Sequence, residues 1–237
     1  MSSIPVPNPP PALEPAPAPA AAPTGLRQLI ADWSSDQQAF HVSWGKAMMW
    51  IFLLSDTFIF GCFLTSYMTV RSSTTVAWPN ASHVFALNIG GAEVPLILIA
   101  IMTFVLITSS GTMAMAVNFA YRRDRVNAAA LMIVTAAFGE MFVFMQAFEW
   151  SKLIMEGVRP WGNPMGAAQF GSTFFMITGF HGLHVSAGVV YLIVVAIRLL
   201  RGHYDRTGNY QIVEIVGLYW HFVDLVWVFI FAFFYLW

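Results

Sequence analysis

Five apolar stretches, residues 47–70, 94–121, 129–151, 171–200 and 212–237, dominate the chain, and charged residues are scarce in all of them. Each exceeds the roughly 20 residues that an α-helix needs to cross about 30 Å of hydrocarbon. The runs are continuous rather than alternating, so they do not suit strands, and an open sheet edge has no hydrogen-bonding partner in lipid. The expected fold is therefore all-α: a polytopic membrane protein built as a bundle of five transmembrane helices. Composition agrees. Of 237 residues, 58% are hydrophobic and only 10% charged, against roughly 25% charged in an average soluble domain.

The remaining sequence sets limits of its own. Eleven Lys and Arg stand against twelve Asp and Glu, a formal net charge of −1, which argues against a nucleic-acid partner. Cys62 is the single cysteine and makes neither an intrachain disulfide nor a cysteine-rich metal site. Residues 1–23 are rich in Pro and Ala and are expected to form a disordered cytoplasmic tail. They have no basic segment followed by an apolar core, so the first span is expected to serve as the insertion signal. Residues 24–46 place Leu26, Leu29, Ile30 and Trp33 at helical spacing and read as an interfacial segment. Residues 47–237 are the membrane domain.

Lys and Arg set the orientation. With the N-terminus in the cytoplasm, that side collects Arg27, Lys46, Arg122, Arg123, Arg125, Arg198, Arg201 and Arg206, and the other only Arg71, Lys152 and Arg159. This bias predicts an inside N-terminus and, after five spans, an outside C-terminus. Tyr121–Asn127, YRRDRVN, is short enough to make the second and third helices antiparallel neighbours.

Ionisable side chains within spans are expensive and are functional candidates by default. Asp56, Glu140, Glu149, His181, His184, Glu214, His221 and Asp224 all lie within the apolar stretches. His181 and His184 share a helix face, and Glu214, His221 and Asp224 form a stripe with Leu218 and Leu225 that should face other helices or another chain. Three readings follow from the residues: metal or haem ligation, in which His181 or His184 would act with His221; a proton relay or ion path along the acids; and acid–imidazole pairs that neutralise one another, fix helix register and hold polar lipid heads. The third is favoured, because the paired Glu-x-x-His motifs of di-iron bundles do not occur.

These residues sit in distinctive strings. The first span contains WIFLLSDTFIFG, the second opens AEVPLIL, the third contains FMQAFEW, the fourth reads FGSTFFMITGFHGLHVSAG and the fifth EIVGLYWHFVDLVWVFIFAFFYLW. Together and in this order they resemble subunit III of haem–copper terminal oxidases (cytochrome c and quinol oxidases), in its five-helix form without the first helix pair. The resemblance implies an accessory subunit that binds no haem or copper itself. Those cofactors lie in partner subunits I and II, while subunit III packs on subunit I, holds structural phospholipids, and supports proton uptake and oxygen access. A small subunit IV and a respiratory supercomplex are further partners that it implies, in a bacterial inner membrane.

Carried over by motif, Asp56 stands where the family has its reactive buried acid, a Glu in many cytochrome c oxidases, with His184 rather than His181 as its partner. Glu149, His221 and Asp224 would organise helices or lipid. Arg198, Arg201, Trp220 and His221 would hold phospholipid. The electron donor, cytochrome c or quinol, stays open. Nitric-oxide reductase accessory proteins share much of this motif set and are the alternative within the resemblance; an independent proton channel is the alternative outside it.

Overall fold

The structure, a computed structural model, describes residues 43–89, 92–94, 96–204 and 210–236. The tail expected over 1–23 and most of the interfacial segment expected over 24–46 lie outside the described residues. Five helices long and apolar enough to cross a membrane account for most of what is described. They are α1 (Trp44–Ser73), α3 (Ile97–Tyr121), α4 (Arg125–Met155), α5 (Gln169–Leu200) and α6 (Gln211–Phe231), the last continuing as a π-helical turn over Ala232–Leu236. A four-residue helix α2 (Ala81–Val84) and an antiparallel pair of three-residue strands, β1 (Leu87–Ile89) and β2 (Ala92–Val94), occupy the connection after α1.

The helix ends follow local chemistry. The second span was expected from residue 94, but Val94 is a strand residue and α3 begins at Ile97. Pro95 follows Val94, and the residue before proline is pushed out of the helical region. Between α3 and α4 the chain turns in three residues, with Arg123 at φ 60°. Asp124 then caps α4 by accepting from the Asn127 backbone N–H at 3.2 Å. The first span starts at Trp44, earlier than expected, and so takes Lys46 into the helix.

Helices α3, α4 and α5 pack in sequence as neighbours, and α6 closes the group against α3 and α5. Burial separates the spans: 56% of the most apolar window of α6 is enclosed by the rest of the chain, against 17% for α1, so α6 is central and α1 is at the rim. The core of α6 is Trp220, fully buried, whose indole N–H donates to Ser109 Oγ at 2.9 Å. Its ring lies in a slot made by two glycines. A Cβ on Gly139 would fall 2.4 Å from Trp220 Cη2, and one on Gly188 would fall 3.0 Å from the same ring. Trp227 repeats the stitch, donating to Thr103 Oγ1 at 3.0 Å.

Helix α1 is held at three levels. Near its start Lys46 pairs with Glu214 of α6. In its middle Asp56 meets His184 of α5. Near its end the buried Tyr67 ring lies 4.0 Å from that of Phe234. The outer connections interlock through Ala167 N–H, which donates to Ala77 O at 3.2 Å.

Candidate functional site

The candidate site is the set of polar side chains enclosed by the bundle. Asp56 is buried on the α5-facing side of α1, with Oδ2 3.2 Å from His184 Nε2. His184 Nδ1 lies 2.8 Å from Phe180 O. A carbonyl only accepts, so Nδ1 carries a hydrogen. Nε2 is thereby left to face Asp56 Oδ2 and joins α5 to α1. Phe60 and Phe180 flank the imidazole, and Tyr219 OH donates to His184 O at 2.9 Å, which ties α6 to the same turn.

His181 is one turn away with a different environment. It is fully buried, with Nε2 3.1 Å from Val223 O. The same rule makes Nε2 the donor there, and the other nitrogen, Nδ1, has no partner among the described residues. Phe142 and Trp227 pack around this imidazole. It pins α5 to α6, whereas His184 pins α5 to α1.

Glu149 of α4 is buried and accepts from Gln146 Nε2 at 3.0 Å and from Tyr235 OH at 3.2 Å. Tyr235 belongs to the π-helical turn. On α6, His221 Nδ1 is 2.5 Å from Ser110 Oγ of α3. Asp224 is 7% exposed, and neither carboxylate oxygen has a hydrogen-bonding partner among the described residues. Glu214 faces Lys46.

Two residues differ from their sequence expectations. Glu140, expected among the helix-pairing buried acids, is exposed on the outer surface of α4. The reason is angular: the adjacent Gly139 is the residue turned into the bundle against Trp220. Trp220, expected at a phospholipid site, is fully buried and bonded to Ser109, so it meets no lipid. Arg198 and Arg201 are both exposed at the end of α5, and His221 is half-buried. Gln146, Tyr235 and Ser110 were not singled out from sequence. Gln146 is three residues from Glu149 on one helix face, a spacing that could have been read; the other two contacts join distant segments. Among the described residues no three His, Cys, Asp or Glu side chains converge on one point.

The arrangement defines a class: a bundle of five helices long and apolar enough to cross a membrane, in which Asp56, Glu149 and the imidazoles of His181, His184 and His221 contact one another, hydroxyls, an amide or backbone carbonyls. The family model for cytochrome c oxidase subunit III matches residues 31–237, and the chain belongs to that family. Similar curated proteins include the probable quinol oxidase subunit 3 of Staphylococcus saprophyticus, 31% identical over 83% of this chain and 90% of its own length. The protein of the same name from Staphylococcus aureus is 34% identical over 79% of this chain and 86% of its own length.

Proposed function

We propose that this chain is a non-catalytic subunit III of a proton-pumping haem–copper terminal oxidase in a bacterial inner membrane, with its N-terminus in the cytoplasm. The observation that carries the reading is the engagement of the imidazoles within its spans. His184 faces Asp56 and Phe180 O, His181 faces Val223 O, and His221 faces Ser110. Each of these contacts joins α5 or α6 to another helix or to the chain's own backbone, which supports a structural role for the three imidazoles. In this reading haem and copper reside in subunits I and II, and this chain supports subunit I mechanically, stabilising proton uptake and oxygen access. Arg198 and Arg201, exposed at the end of α5, bind phospholipid phosphates, with His221 at the α3–α6 seam as a further lipid contact. A small subunit IV and a respiratory supercomplex are the wider partners.

The test is purification from the native membrane through an affinity tag on this chain. The expected result is co-purification of haem-bearing partners with oxygen-reducing activity, supported by either quinol or cytochrome c, and no haem absorbance in this chain once it is separated. Haem absorbance retained by the separated chain, or a tagged chain that brings down no haem protein, would overturn the reading.

A further inference from the structure

The outward side of α4 and α5 carries three features that lipid does not explain. The first is Glu140, the midpoint of the 31-residue helix α4. It is exposed, and among the described residues nothing bonds to it. A carboxylate facing hydrocarbon at mid-span is expensive and calls for a partner from outside the chain. The second is a cavity of about 390 Å³ between α4 and α5, floored by small residues that include Ala147, Gly179, Gly182 and Ser186. Small floors allow another helix to approach closely. The third is a pair of buried hydrogen-bonding atoms without a partner among the described residues, carried by two α4 residues that line that cavity. Gln146 is 5% exposed and its Oε1 accepts nothing among the described residues, while Trp150 Nε1–H, one turn further on, donates to none of them.

Glu140 and Ala147 are seven residues apart, so they lie on one face of α4 about 10 Å apart along its axis. The acid therefore continues the line of the cavity towards the middle of the membrane. Acyl chains supply neither a positive charge nor an N–H group. A neighbouring helix can supply both, and its backbone can lie against the glycines.

We propose that this α4–α5 face is the docking surface for a transmembrane helix of a partner oxidase subunit, one that presents a basic side chain to Glu140 and a polar side chain to Gln146 and Trp150. The inference rests on the oxidase-subunit reading and adds which face of the bundle meets the partner. It also accounts for the mid-span acid that the bundle itself leaves outside.

Gly182 provides the test. A Cβ there meets nothing within 4 Å, and the same holds for Gly111 on α3. Gly182→Leu therefore enters the groove with no clash at Cβ, and Gly111→Leu, equally free at Cβ, is the control on another face. The complex is purified through a tag on this chain, and haem co-purified per tagged chain is measured, with chain level and melting temperature followed in parallel. Gly182→Leu and Glu140→Leu are expected to lower retained haem by tenfold or more while chain level and melting hold. Trp150→Phe, which removes only the indole N–H, is expected to lower it about threefold, and Gly111→Leu to leave it unchanged. A photo-crosslinker at Leu183, exposed beside Gly182, is expected to capture a partner polypeptide.

Full haem retention in Gly182→Leu and Glu140→Leu would overturn the docking face while leaving the oxidase reading intact. Capture of lipid alone at Leu183 would do the same. Absence of haem with the unaltered chain would instead overturn the oxidase reading itself.

Discussion

His184 Nε2 stands 3.2 Å from Asp56 Oδ2 and joins the middle of the rim helix α1 to α5. Since the imidazole is oriented by Phe180 O, the pair is a fastener whose geometry both helices set. Removing either partner leaves the other unpaired in the bundle. Asp56→Ala and His184→Ala are each expected to loosen α1, and their double-mutant cycle to give a coupling of about 0.6–1.7 kcal/mol, the scale of polar contacts between membrane helices. Melting of the four proteins in detergent measures it. Strict additivity would show that the contact contributes nothing.

The Trp220 slot predicts a size-dependent defect. Gly139→Ala would place a methyl group 2.4 Å from Trp220 Cη2 and 2.7 Å from Val189 Cγ2. Overpacking of this kind costs about 1–3 kcal/mol, so the variant should melt at lower temperature. Adding Trp220→Phe should recover part of the loss caused by Gly139→Ala, because the smaller ring makes room for the methyl group. A double variant no more stable than the two losses added together would count against the slot.

Lys46 and Glu214 connect α1 to α6 near the start of each helix, with side chains 32% and 22% exposed. A pair that remains partly in water contributes little, about 0–1 kcal/mol, and less at high salt. Lys46→Met should lower the melting temperature slightly in low salt and not measurably in high salt. The exchanged pair Lys46→Glu with Glu214→Lys should restore the low-salt value.

Asp224 behaves differently: its carboxylate lies beside the Ser110 hydroxyl but makes no hydrogen bond of normal geometry. Both oxygens are buried without a hydrogen bond among the described residues. Replacing an unsatisfied polar group with an apolar one of similar size is neutral or stabilising. Asp224→Leu is expected to melt at the same or a higher temperature. A sharp fall in melting would reveal a partner for the acid, and a fall in oxidase turnover at constant melting would assign it a role in the assembled complex.

Much of this architecture was legible in the sequence. Hydrocarbon thickness fixes helix length, so five runs longer than about 20 residues specify five spans whatever their packing. The YRRDRVN turn and the antiparallel α3–α4 pair followed from a loop too short for anything else. Helix ends were less legible, because the effect of Pro95 on Val94 is local and outweighs hydropathy. The polar site was legible as a list of expensive residues but not as a set of contacts. Glu140 and Gly139 are adjacent, and only the packing of Trp220 decides which of them turns inward. Ser110 and Tyr235 gave no signal because an ordinary hydroxyl gains meaning only from the residue that a distant helix brings beside it.

Trp220 belongs to α6, which leaves the ribosome after α4 and α5, and it fills the gap between Gly139 and Gly188 on those two spans. Until then α4 and α5 face each other across an empty notch and cannot settle into final contact there. The joint between α4 and α5 is thus closed only when α6 arrives, like a vault awaiting its keystone. A nascent chain halted before residue 211 would remain unlocked and open to the quality-control proteases of the membrane.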